Sequence, residues 1–467
     1  MSIAPRGSEN RPRLRRRLPL VAVFSALFSC QSYTPEPLQV DAHRERWLAH
    51  SVDPEAVEAS ASTTSLADRL AAPSRLDLTD GITLAEARLL ALALNPELRL
   101  ERAAASRAGV LAAHAGLLAD PQLAAQVQHI AESVPDPWVV GLGVEFELPL
   151  TDERDARVAR ATAGVAVAER TLLEAEWRVW SEAELLWIEW VRLSERERHI
   201  REQAEVLSAF ASSIAGLVDA GELDRVEAGL FELEAARLSL EGEEARSTRD
   251  SREWELRALM GLHAEAEVQL VPGALPLTAL PSVDLAALPD TSPELMRLRA
   301  EFDAAEAALR LAVAQQVPNP SLGPLLEVDE GQTRFGIGGV LALPIWNANR
   351  AAIAAARVDR ELARTRYEVA FERLALELQA AHDRAAREQQ LAERTHDELQ
   401  PLAADQMRRA TELLQLGESN PIALFESLSL ALRVELLATD RRATAATSRA
   451  HYLALAGPSA TPPAQQP

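Results

Sequence analysis

Few residues of this chain combine a type and a spacing that does chemistry. Nine histidines are scattered with no pair at i, i+4, so no helix face offers two imidazoles to one metal ion. The four methionines do not cluster, which leaves no soft thioether site. Gly336, Gly338 and Gly339 are closely spaced. They alternate within a strand-like stretch, however, and lack the turn-to-helix setting of a phosphate loop. No P-loop, His-Glu-x-x-His or nucleophile-elbow pattern occurs. Asp219, Glu222, Asp224 and Glu418 gather at two Gly-Glu turns, Gly221-Glu222 and Gly417-Glu418. Their chemistry is electrostatic: carboxylates arranged around an opening favour cations. The plainer reading is turn residues in solvent. Nothing here supports catalysis, a cofactor or a resident metal.

The one thiol is Cys30, so no internal disulfide forms. Arg11, Arg13, Arg15, Arg16 and Arg17 precede an apolar run from Leu18 to Phe28. That run is far short of the ~20 residues a bilayer-spanning helix needs, and it has the layout of an export signal. Leu27-Phe28-Ser29-Cys30 resembles the bacterial lipoprotein signal, in which the cysteine becomes the lipidated first residue after cleavage. Phe28 is bulkier than the small residue usual there. Gln31 follows where an aspartate would hold a lipoprotein at the inner membrane. Residues 1–29 are expected to be a signal peptide and Cys30 the lipid attachment point.

The composition says what these residues are mounted on. Of 467 residues, 48% are hydrophobic but only 4% aromatic; alanine and leucine dominate, as in long helices. The formal charge is −22 and the chain contains no lysine, which argues against nucleic acid, because phosphate binding needs a basic face.

Residues 30–80, with Pro35, Pro37, Pro54 and Pro73, read as an extended leader holding a short helix near 42–50. Thr83-Leu84-Ala85-Glu86 is a capping box, and its helix should end at Asn95-Pro96. A second helix runs from Glu97 to about Leu118. A β-hairpin over 122–150 turns through Pro135-Asp136-Pro137. On its return strand Val140, Leu142, Val144, Phe146, Leu148 and Leu150 share one face, and Gly141, Gly143, Glu145 and Glu147 the other. Asp152 to Leu217 holds no proline and reads as one helix about 100 Å long. A turn at 220–224 leads into a helix ending near Leu262, and 263–291 is a proline-rich linker.

Then the pattern restarts. Ser292-Pro293-Glu294-Leu295 repeats Asn95-Pro96-Glu97-Leu98; Asn319-Pro320 repeats Asp120-Pro121. Leu343-Pro344-Ile345 repeats Leu148-Pro149-Leu150, and Gly417-Glu418 repeats Gly221-Glu222. The offsets are 197, 199, 195 and 196 residues, so the chain is a tandem duplication whose first hairpin is four residues the longer. The first repeat covers 81–262; the second covers 292–456 with its hairpin at 321–345, and a disordered tail is expected over 457–467. In each half two shorter helices sum to the length of the long one, so they stack end to end beside it. Pro149 and Pro344 mark the seams where strand becomes helix, and Pro401 interrupts the second long helix, where a kink is expected. Trp177, Trp180, Trp187 and Trp190 form a heptad-like stripe, read as helix packing first and as a docking groove second.

Four strands are too few to close a barrel, which takes about eight, and an open sheet leaves its edges unsatisfied in lipid. An exported chain with such strands therefore has to oligomerise; three copies supply twelve. The tandem Asn-Pro-Glu-Leu, Gly-x-Gly…Leu-Pro-Leu and Ala-Gly-Glu landmarks resemble TolC-type outer-membrane efflux proteins over about residues 80–456. Leu343-Pro344-Ile345-Trp346-Asn347-Ala348-Asn349-Arg350 is similar to the pattern of the CzcC-like, heavy-metal branch. The resemblance implies a mostly α fold with membrane β: a homotrimer whose twelve-stranded outer-membrane barrel stands on an α-helical periplasmic tunnel. It also implies docking to a periplasmic adaptor and an inner-membrane pump, usually proton-driven, with no nucleotide used by this component. A protein-secretion outlet and a lipid-anchored periplasmic coiled-coil scaffold are the alternatives. The chain departs from a membrane barrel's aromatic girdles in offering only Trp138, Phe146 and Phe335.

Overall fold

The computed structural model describes residues 33–49, 52–62, 64, 66, 76–132, 134, 137–219, 224–275, 278–329, 332–416 and 421–458. The signal segment with Cys30, the turn residues Gly221, Glu222, Gly417 and Glu418, and the tail from 459 lie outside them. Residues up to His50 form one unit: irregular chain from Tyr33 to Gln39, then helix α1 (Val40–Leu48), which buries nothing.

The second unit, from Ser51 onward, carries the duplication. After α2 (Pro54–Ser62) come α3 (Leu84–Leu94), α4 (Pro96–His114), β1 (Gln122–His129), β2 (Trp138–Glu147), α5 (Glu153–Asp219) and α6 (Arg225–Leu259). One turn, α7 (Leu288–Thr291), precedes the second series: α8 (Pro293–Ala314), β3 (Ser321–Asp329), β4 (Gln332–Val340), α9 (Arg350–Arg394), a π-helical turn (Thr395–Leu399), α10 (Gln400–Gln415) and α11 (Pro421–Ala456). No described helix is long and apolar enough to cross a membrane.

Local chemistry sets the boundaries. Glu86 N–H donates to the Thr83 hydroxyl while the Glu86 carboxylate accepts from Thr83 N–H, so the capping box forms as the sequence predicts. Asn95 closes α3 and caps α4, accepting from Glu97 and Leu98 N–H. α4 ends at His114, four residues before the expected Leu118, and a turn at Ala115-Gly116 leads on to β1. The proline-rich linker is pinned rather than loose. Ile82 bridges in parallel to Leu270 through Ile82 N–H to Gln269 O and Val271 N–H to Ile82 O. The Tyr452 hydroxyl donates to Pro281 O at 2.8 Å.

The two long helices differ. α5 runs unbroken for 67 residues, about 100 Å at 1.5 Å per residue. Its counterpart passes from α9 through the π turn into α10, where Gln400 N–H donates five residues back to Thr395 O. The duplication offset grows from 195 at the Leu-Pro seam to 196 at the Gly-Glu turn, so the second long helix holds one extra residue. A π turn closes over one more residue than an α turn and absorbs it. Pro401 follows at once, placing its missing N–H and ring where the ladder is already relaxed. Where a kink is expected at Pro401, the structure has a π turn just before it and Pro401 within the first turn of α10.

The tryptophan stripe is core. Trp177, Trp180, Trp187 and Trp190 are buried among Leu90, Leu173 and Met260. Trp187 and Trp190 stand 5.2 Å apart by ring centroids, and Trp177 Nε1 donates to Ala454 O on α11. A second core lies toward the Gly-Glu turns, where Phe231 packs on Phe210 and Phe425. A third joins α8, α9 and α11 around Tyr452.

Candidate functional site

The surface that no helical core accounts for is the sheet. Its four strands pair antiparallel in the order β1-β2-β3-β4. The register aligns Val127 with Val140, Val140 with Val328, Leu142 with Leu326 and Leu326 with Phe335. Directly paired residues share a face, so the alternation read from β2 extends across all four strands. One face carries Leu123, Val127, Leu142, Phe146, Leu322 and Ile337, and all six side chains are exposed. Trp138, Phe146 and Phe335, the three girdle candidates, all stand on this face.

The opposite face is polar and glycine-rich. It holds Gln122, Gln126 and Gln128, then Gly141, Gly143, Glu145 and Glu147, then Glu327 and Asp329, and on β4 Arg334, Gly336 and Gly338. Arg334 pairs with Asp329 at 2.8 Å and reaches Glu327 at 3.7 Å. Glu145 accepts from the Ser321 hydroxyl at 3.1 Å. Glycine is sterically required at two places in the sheet: a Cβ on Gly323 would lie 1.7 Å from Val144 O, and one on Gly339 2.8 Å from Ser321 O. Beside Gly323, Pro324 offers no N–H, and the β2–β3 ladder skips Gly323 and Pro324. Among the described residues β1 and β4 each pair on one side only, which leaves the sheet two free edges.

At the base of the sheet the predicted seams are built alike. Pro149 is the middle residue of a turn in which Leu150 N–H donates to Leu148 O, and Pro344 of one in which Ile345 N–H donates to Leu343 O. A proline's fixed φ suits this three-residue turn, and the missing donor ends the strand. Beyond the prolines the seams diverge. In the first, Asn319 accepts from the Thr151 hydroxyl at 2.9 Å and donates to Glu147 at 2.9 Å, tying the foot of β3 to the start of α5. In the second, Ala348 and Asn349 turn left-handed at φ 41° and 53°, and Asn349 donates to Ala312 O at 2.8 Å. Asparagine tolerates that region; alanine does so at a cost. Asn319 had appeared in the sequence only as a repeat landmark, and its bridging role needed the strand pairing to be seen.

Of the turn carboxylates, Asp224 is described: it caps α6 in a box with Glu227, accepting from Val226 N–H at 3.2 Å. That is the plainer, local role. The backbone of Asp219 ends α5, and its side chain, with Gly221, Glu222, Gly417 and Glu418, lies outside the described residues. No cluster able to hold a metal ion occurs among the described residues. One largely buried charge is structural: Arg88 pairs with Glu184 and lies 4.6 Å over the Trp180 ring. Burial pulls its pKa below the usual arginine range, against the raising influence of Glu184.

No protein-family model and no curated protein matches the chain. Solved structures do. The VceC outer-membrane protein of Vibrio cholerae aligns with a TM-score of 0.64 at 17% identity, covering 80% of this chain and 96% of its own. The CmeC outer-membrane channel of Campylobacter jejuni aligns at 0.66 and 16%, covering 92% and 94%. The outer-membrane channel OprN aligns at 0.68 and 17%, covering 92% and 98%. The chain thus has the fold of the TolC-type outer-membrane channels.

Proposed function

We propose that this chain is one subunit of a trimeric outer-membrane efflux channel that conducts passively from the periplasm to the exterior. The observation that carries this reading is the two-faced sheet with two free edges, set at the head of long paired helices. An apolar face suits lipid and a polar, glycine-rich face suits a water-filled lumen. Backbone groups at a strand edge cannot remain unpaired in hydrocarbon, so both edges must be joined. Three copies close a twelve-stranded barrel.

In this reading Pro149 and Pro344 stand where barrel gives way to tunnel, and Cys30 carries the lipid that holds the leader to the outer membrane. Asp219, Gly221, Glu222, Asp224, Gly417 and Glu418 line the periplasmic mouth, where an adaptor and an inner-membrane pump dock. The chain performs no catalysis and uses no cofactor. The buried tryptophan stripe belongs to packing and is no part of the docking surface.

The Leu343–Arg350 phrase favours heavy-metal cations as the cargo, with small toxic compounds or an exported protein as the competing substrates. Purified protein in detergent should sediment as a trimer and open pores in planar bilayers. A monomer without pore activity would leave the lipid-anchored scaffold as the better account.

A further inference from the structure

The duplication is visible in side-chain contacts as well as in helix lengths, and it specifies how one copy meets the next. Within the chain, the first repeat's long helix and return strand pack against the second repeat's short helices and first strand. α5 touches α8 through Arg297–Glu174 and α11 through Arg192–Asp440 at 3.0 Å, and β2 pairs with β3. The second repeat's equivalents, α9 and β4, have no third repeat to meet. We infer that they meet the first repeat of a second copy in the same register, so that the contacts between subunits follow by applying the repeat offsets to the contacts within one. This inference rests on the trimeric reading above and specifies its interface.

The strands show the operation. Adding 195 to β2 positions and subtracting 199 from β3 positions carries the pair Leu142–Leu326 onto Ile337 and Val127, and Gly143–Leu325 onto Gly338 and Gln126. Ile337 and Val127 both stand on the apolar face, and Gly338 and Gln126 both on the polar one. A register wrong by one residue would have crossed the faces. Pro324 interrupts the ladder within the chain, but its counterpart is Ala125, so the ladder between copies is unbroken.

The helices agree independently. Shifting Glu174 by 195 and Arg297 by 197 places Val369 against Leu100. These two side chains, 56% and 72% exposed in the single chain, replace a salt bridge by an apolar pair. Shifting Arg192 by 195 and Asp440 by 196 places Arg387 against Glu244, and opposite charges recur. Both residues are exposed and neither side chain has a partner among the described residues. One turn of α6 further from Glu244, the same antiparallel alignment sets Leu240 beside Leu391, both exposed.

Cysteine pairs test the register. A Cβ at Gly338 meets nothing closer than 4.0 Å, and Gln126 is exposed, so both accept cysteine. The variant G338C/Q126C, oxidised in membranes, should run as a covalent trimer without reductant. G338C/A124C and G338C/Q128C should not, and each single variant controls for Cys30. The charge swap R387E/E244R should restore a trimer that R387E alone weakens, a readout independent of the sheet. Particle mass by light scattering separates the two levels of failure. A trimer cross-linking at 124 or 128, or at none of these sites, overturns the register and leaves the channel reading standing; a monomer overturns both.

Discussion

Arg178 on α5 reaches Glu97 on α4 at 3.2 Å, and the same pair recurs as Arg373 on α9 and Glu294 on α8 at 2.5 Å. The arginines are 195 residues apart and the glutamates 197. These are the local duplication offsets at each position. The repeat therefore extends below the level of helix count to the placement of individual charges.

Because the first pair is exposed and the second half-exposed, they orient neighbouring helices more than they stabilise them. Removing either arginine as R178A or R373A should cost about 0.2–1 kcal/mol in denaturant unfolding, the range of surface ion pairs, and the two losses should match.

The tryptophan stripe predicts the opposite magnitude. Trp187 is 2% exposed and packs on Trp190. W187A should lose about 3–5 kcal/mol, as large core deletions do, read from the midpoint of thermal or urea unfolding. A docking residue would leave that midpoint unchanged and weaken only association with a partner.

The π turn makes a prediction about length. Deleting Asp397 together with P401A removes the residue by which the second long helix exceeds the first and the ring that the π turn accommodates, and should let α9 and α10 join as one α-helix with their apolar faces in phase. Deleting a residue from mid-α5, such as Gln203, should instead rotate everything beyond it by about 100° at 3.6 residues per turn and break the Phe210–Phe231–Phe425 cluster. Circular dichroism and melting of the two deletions decide between these outcomes.

Much of this was legible in the sequence because the signals were local or repeated. Thr83 and Glu86 specify their own cap, the Leu-Pro pairs their seams, and glycine alternation the face of β2. The π turn left its trace as a one-residue step in the offsets, readable only once the backbone gave that residue a place. The bridging by Asn319 was not legible, and the tryptophan stripe was legible as helix packing but not as to which segments cover it, since each depends on segments more than 150 residues away, as Thr151–Asn319 and Trp177–Ala454 show. Periodicity says which face of a helix is apolar without saying what covers it.

Gly323 tests the tightness of the sheet. With Val144 O in the way of any Cβ, G323A should force β2 and β3 apart at a cost of about 1–3 kcal/mol, typical of overpacking. It should reduce the yield of assembled trimer on unheated gels. G336A is the matched control, because nothing lies within 4 Å of a Cβ there, and it should assemble normally.

In the proposed channel the polar face sets how the pore treats ions. Glu145 and Glu147 are held by neutral donors, Ser321 and Asn319, whereas Arg334 compensates Asp329 and Glu327 further along the strands. Uncompensated carboxylates lining a lumen raise the local cation concentration. Under a salt gradient across a planar bilayer, the native pore should therefore show a reversal potential of cation-selective sign. E145Q/E147Q should move that potential toward zero while leaving the pore open, because each substitution removes a charge and keeps the shape of the side chain. R334Q should move it the other way by freeing two more carboxylates. If the potential is indifferent to all three substitutions, this face does not line the conducting path, and the assignment of lumen and lipid sides to the sheet has to be reversed.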